Sequence, residues 1–189
     1  MASGQGPGAV TLGDGDRAAA IAAVKALLRI TSADEDALIG AFAETALGLA
    51  ECFIGQVTIA RTLTLGLPAD AAWQRLAATP VSAIVTVAGR DAGGNDVALA
   101  GAAYAIDIDA AGDGWVRLTQ PGGVAGLTVT VEAGLAADWP SLPAPLRQGV
   151  AMLAAYLFDS RDGAGAPPAA VTALWRPFRR MQLDARVPA

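Results

Sequence analysis

The sequence predicts an α+β protein: a small bundle of about four helices carrying an inserted, antiparallel β-rich unit. Three observations carry this. Apolar residues recur at helical spacing toward both ends of the chain. Period-two alternation fills residues 57–134 between them. Glycine- and proline-rich breaks punctuate each change of period. At 189 residues and 53% apolar content, the chain has material for one core, or for one domain with a sizeable insertion.

The elements follow in order. Residues 1–15 are Gly-rich and read as a flexible N-terminus. A first helix over about 16–29 carries Ile21, Val24 and Leu28, with Leu27 beside them. Ser32-Ala33-Asp34-Glu35 has the form of a capping box, whose Ser and Glu satisfy exposed backbone donors reciprocally. It predicts a helix over 33–54 with a buried stripe of Ile39, Phe42, Ala46, Leu49 and Phe53, ended by Gly55. The period then changes. VTIARTLTL (57–65), VSAIVTVAG (81–89), NDVALAG (95–101), AYAIDID (103–109), GWVRLTQ (114–120) and GLTVTVEAG (126–134) read as strands. RDAGG, AAGDG and QPGG are their turns.

DWPSLPAPLRQ returns the chain to helix, with Pro145 suited to a first turn. The third helix, over 145–160, presents Leu146, Val150, Leu153 and Leu157. DGAGAPP breaks it, and a short fourth helix over 168–176 presents Val171, Leu174 and Trp175 before Pro177 ends or kinks it. The expected division is a bundle of 16–56 and 140–178, an inserted unit of 57–134, and a C-terminal tail of 179–189.

Composition narrows the chemistry. Without histidine and with one cysteine, Cys52, the chain cannot assemble the usual zinc, copper or iron sites, a Ser-His-Asp triad or a disulfide framework. It carries no phosphate-binding or dinucleotide glycine motif. No metal or cofactor is expected. A net charge of −5 argues against a general nucleic-acid binder. The longest uninterrupted apolar run, Val150 to Phe158, is short of the roughly 20 residues of a membrane span, and the N-terminus lacks a signal-peptide pattern, so a soluble chain without membrane contact is expected.

Carboxylates are the remaining chemical option. Asp107, Asp109 and Gly112 begin like a calcium loop, but Ala111 and Leu118 stand where ligands are needed. A strand end and turn account for the same residues. Asp34, Glu35 and Asp36 are explained by a helix N-terminus, where negative charge is favoured. Cys52 has no base near it in sequence and reads as packing.

TALWRPFRRMQL (172–183) sets two aromatics and three arginines around a proline in an acidic chain. Three arginines are few for a nucleic-acid grip, and the segment lacks the length and apolar face of a membrane anchor. Two readings stay open. Trp175 covers the third helix as core, or the segment is a protein-docking handle rich in hot-spot residues. Docking expects a chain lacking 174–189 to stay folded; the core reading expects it to lose stability.

The order of AVKALLRI, DEDALIGAFAETALGLAECFIG, TPVSAIVTV, LPAPLRQGVAMLAAYLFDSRD and PAAVTALWRPFRRMQL over about residues 16–183 resembles the head–tail connector (adaptor) family of tailed bacteriophages and phage-like particles such as gene transfer agents. The resemblance implies a virion structural protein and no enzyme. It implies a ring, commonly a dodecamer, that binds the portal protein, offers a surface to a tail-side stopper or tail-terminator protein, and extends a channel through which DNA passes without sequence-specific binding. Such a protein sits at the head–tail interface and is assembled in the bacterial host cytoplasm. Carried onto this chain, Leu174, Trp175, Arg176, Phe178, Arg179 and Arg180 become the portal-binding candidates. Two alternatives remain: a ligand- or carbohydrate-binding β module with helical flanks, and a carboxylate-dependent hydrolase using Asp107 or Asp109.

Overall fold

The structure, a computed structural model, describes residues 7–120, 122–160 and 168–180. Among them are four α-helices and two antiparallel sheets, so the α+β class read from the sequence is borne out. Most of the DGAGAPP break and the tail beyond Arg180 lie outside the described residues.

Helix α1 (Asp14–Leu28) buries Ala20 and Val24, while Leu27 is 44% exposed. The side chain of Lys25 meets Asp36 at 2.6 Å, tying the end of α1 to the start of α2 (Asp36–Ile54). The expected capping box does not form. Glu35 makes no side-chain cap, and Ser32 turns its hydroxyl to Asp34 instead, because the turn before α2 closes on itself.

The apolar face of α2 is narrower than its sequence pattern. Ile39, Ala43, Ala46, Leu47, Ala50 and Ile54 are buried, whereas the expected core residue Leu49 is 49% exposed and Phe42 and Phe53 are half-buried. Small alanines fill the inner face because α1 and α3 (Ala144–Asp159) approach it closely. Length and apolarity alone would let α2 cross a bilayer, but half of its length is buried inside this fold. Gly55 ends the helix with φ 69°, the left-handed conformation glycine adopts freely.

The sequence reads residues 1–15 as a flexible N-terminus; the described part of that segment makes defined contacts. Residues 7–12 lie along α2, where the Gly8 and Leu12 N–H groups donate to Glu51 and Glu44 and Leu12 is buried. Gly48 permits this approach: a Cβ there would lie 2.6 Å from the Gly8 carbonyl oxygen. Helix α1 then begins at Asp14, inside the same segment.

The β strands are β1 (Arg61–Pro68), β2 (Gln74–Arg75), β3 (Val81–Arg90), β4 (Asp96–Ala98), β5 (Tyr104–Ile108), β6 (Gly114–Leu118) and β7 (Gly126–Ala133). One sheet runs β1-β7-β3-β4 and the other β2-β6-β5. Pairing Leu63 with Val131 and Leu65 with Val129 puts four apolar side chains on one face. They bury against Val116, Leu118 and Leu76 of the second sheet's side of the core. The first strand starts later than expected. Val57 to Ile59 are buried, but they bond individually to Thr79 and to residues 135–136 as the chain leaves the bundle. The two-residue β2 has too little alternation to be read from sequence.

Helix α3 opens with Pro145 in its first turn, as expected, and buries Leu146, Val150 and Leu153. Phe158 meets Phe42 edge-on, with ring centroids 6.5 Å apart. Helix α4 (Ala169–Trp175) runs into a 3-10 turn at Arg176–Phe178, where Pro177 ends the α-helical hydrogen bonding. Trp175 is 3% exposed and belongs to the helical core. Gly149 makes room for it, since a Cβ there would sit 2.2 Å from the indole nitrogen.

Gly149→Ala is therefore expected to destabilise the fold by about 1–3 kcal/mol through overpacking. Denaturant unfolding measures this, and the double variant Gly149→Ala/Trp175→Phe should recover part of the loss. A neutral Gly149→Ala would contradict the close α3–α4 contact.

Candidate functional site

The six sequence-predicted docking residues do not form one exposed handle. Trp175 is core: its indole N–H points to the Leu146 carbonyl at 3.4 Å, and its ring lies 6.0 Å from that of Phe53. Leu174 and Phe178 are half-buried against the bundle. Arg176 and Arg179 are exposed, and the Arg179 guanidinium lies 5.6 Å from the centroid of the Phe53 ring. The burial of Trp175 favours the reading in which a chain lacking 174–189 loses stability, because that deletion removes the Trp175 plug.

Arg180 is a clasp. Its backbone N–H donates to Ile54 at the end of α2. Its side chain donates to Thr79 Oγ1 at 2.6 Å, to Asp113 Oδ1 at 2.9 Å and to the Ala111 carbonyl at 2.8 Å. Gln56 reinforces the crossing by donating to the Phe178 carbonyl. Residues 178–180 thus strap the bundle to the β5–β6 turn. Arg75 approaches the other oxygen of Asp113 at 3.2 Å, so this carboxylate is held between two guanidinium groups. Pro7, Cys52, Phe53, Gly55, Arg179 and Arg180 line one hollow beside the strap.

A second junction, unanticipated from sequence, centres on Glu51. Its side chain is fully buried and accepts from both terminal nitrogens of Arg61 at 2.8 and 2.7 Å. It also accepts from the Thr58 backbone and hydroxyl, both at 2.8 Å, and from the Gly8 N–H at 3.0 Å. Burial is the largest influence and pushes its pKa up, but the Arg61 and backbone hydrogen bonds with the Arg61 charge prevail and hold it below the ordinary glutamate value. The available signal was a lone acid four residues after Leu47, on the face that α2 buries.

The carboxylate alternatives have structural roles or none. Asp109 accepts from the Ala111 and Asp113 N–H groups and from the Trp115 indole, closing the β5–β6 turn. The Asp113 N–H bond, followed by the indole bond, lowers its pKa, and such a carboxylate is a poor proton acceptor. Asp107 is exposed on β5. No cluster of three metal-ligating side chains occurs among the described residues, and the calcium-like spacing does not converge there. Cys52, expected to pack, is exposed at the outer end of α2 near the Pro7 carbonyl. The outward face of α2 puts it there.

No protein-family model matches the sequence, and no curated protein does. Solved structures do. The chain is similar to a component of the neck of an empty gene transfer agent particle computed with C6 symmetry, at TM-score 0.70 and 27% identity, covering 92% of this chain and 95% of that one. A chain in the virion of a native gene transfer agent particle matches at TM-score 0.68 and 25% identity over 97% and 96% of the two chains. A chain in the neck of a native particle computed with C12 symmetry matches at 0.64 and 26% over 92% and 94%. These likenesses bear out the resemblance to connectors of phage-like particles read from the sequence.

Linkage gives the Glu51 junction a testable pH signature. Its lowered folded-state pKa contributes stability that is present above the ordinary value of about 4.3 and is lost as pH falls through the folded-state value. Glu51→Gln should lose about 3–5 kcal/mol at neutral pH, because Arg61 is left without its carboxylate. Its stability should then change less than that of the wild type between about pH 5 and 3. Parallel pH-dependent melts check both; equal slopes would remove Glu51 from the acid response.

Proposed function

We propose that the chain is a structural head–tail connector in the neck of a phage-like particle, where copies form a ring that joins the portal to the tail side. The observation that carries this reading is the likeness over 92–97% of the chain to components of gene transfer agent necks and virion. The neighbours' C6 and C12 symmetries support a ring, and twelve copies would satisfy both. In this reading DNA passes through the ring, and a net charge of −5 disfavours lasting phosphate contacts along the way. The protein performs no reaction; its partners are the portal, a tail-side stopper or terminator, and its own copies. It works at the particle neck after assembly in the host cytoplasm.

The bundle (16–56 and 140–178) and the inserted unit (57–134) act as two parts held in one orientation by the Glu51 and Arg180 junctions. The docking role then divides within the C-terminal segment. Leu174, Trp175, Phe178 and Arg180 frame the segment from inside, while Arg176 and Arg179 face outward for the portal. Protein interfaces favour arginine because its planar fork pairs with carboxylates and carbonyls at once.

The test replaces only the outward pair. Arg176→Glu/Arg179→Glu should leave circular dichroism and melting near wild type and weaken capture of portal-bearing heads at least tenfold, about 1.4 kcal/mol or more. Undiminished capture would remove the docking assignment. A neck reconstruction lacking a ring of this chain would remove the connector reading itself.

A further inference from the structure

The small β2-β6-β5 sheet carries an arginine whose charge is unmatched among the described residues. On β6, Val116 and Leu118 point into the core, so Trp115 and Arg117 lie on the opposite face. Their neighbours there are Arg75 and Asp107, each paired in register with Trp115, and Ala105, paired with Arg117. Trp115 is bonded to Asp109 and Arg75 to Asp113. Arg117 has no ion pair among the described residues, and its Nε is buried without a hydrogen-bond partner. Its guanidinium lies 4.8 Å from the centroid of the Trp73 ring, and Trp73 itself is 43% exposed. A cation held over an exposed tryptophan is pre-ordered for a carboxylate partner.

The chain also carries the complement. Asp14, Asp16 and Asp138, with Gly13, Gly15 and Pro140, line a hollow of about 380 Å³ where α1 begins. Asp16 accepts from the Trp139 N–H and Asp138 from the Ser141 N–H, and no cation pairs with any of the three among the described residues. The basic–aromatic patch belongs to the β part and the acidic hollow to the bundle, so one copy offers both halves of a head-to-tail contact. Ring closure requires two such unlike, complementary patches.

We propose that Trp73 and Arg117 anchor each copy to the next, with the Arg117 guanidinium entering the Asp14–Asp16–Asp138 hollow of a second copy. The inference rests on the ring reading. DNA is the weaker occupant. A single unpaired arginine on a face that also carries Asp107 is a poor phosphate site, and stacking on tryptophan needs unpaired bases.

Charge reversal tests the contact in the full chain. Arg117→Glu and Asp138→Arg should each weaken self-association at least tenfold in sedimentation velocity, with melting temperatures retained, and the double reversal should recover much of it. Trp73→Ala, which alters no charge, should weaken it as well. Wild-type association by all these variants overturns the assignment while leaving the ring intact. Loss of duplex-DNA retention by Arg117→Glu with unchanged self-association overturns it in favour of nucleic acid. For a chain that associates only in particles, a photo-crosslinker at the exposed position 72, which keeps Trp73, decides. An adduct between two copies supports the contact, and an adduct with another protein, or none, defeats it. Particles without any ring of this chain defeat the connector reading as well.

Discussion

The arrangement depends on one buried charge. Glu51 sits in the last turns of an apolar helix where no water reaches it, and an ionised carboxylate there is tolerable only if the fold surrounds it with donors. Those donors come from three separate stretches: Gly8 from the N-terminal segment, Thr58 from the chain leaving the bundle, and Arg61 from the first residue of β1. Satisfying one side chain therefore fixes where the N-terminal segment lies and where the β part begins. Apolar contacts alone would hold α2 against its neighbours but would leave that direction loosely specified.

Arg180 repeats the device at a second point of the joint with less burial. It reaches from the end of the bundle to the β5–β6 turn, whose shape Asp109 already maintains. Gly112 lets that turn close with φ 80° while Pro80 packs against it. The two junctions differ in character. The Glu51–Arg61 pair, whose carboxylate is fully buried, resists salt better and responds to acid, whereas the more exposed Arg180–Asp113 pair is screened by added salt. Two ties of different sensitivity hold one orientation more widely across conditions than either alone.

Much of this was legible in the chain. The helical period of α2, the buried stripe of α3, the Gly55 stop, Pro145 in a first turn and the β3–β4 hairpin around RDAGG all follow from local periodicity and turn chemistry. What was missed depends on residues distant in sequence. Leu49 fits the helical stripe, yet nothing local says that the inner face would be met by α1 and α3 at alanine distance. The capping box at Ser32 lost to a hydrogen bond within its own turn. In the docking segment the sequence supplied the right residue types but not their sidedness. Trp175 faces inward because Gly149, 26 positions earlier, leaves a socket of its shape. Glu51 was visible only as an acid in the wrong place, and its partners could not be named until Gly8, Thr58 and Arg61 were brought beside it.

The hollow shared by Pro7 and Arg180 has a mechanical meaning. Two segments far apart in sequence, one tied to Glu51 through Gly8 and the other to Asp113 through Arg180, meet beside the end of α2. A group seated in that hollow touches both segments at once, so a single contact there loads both junctions between the bundle and the β part.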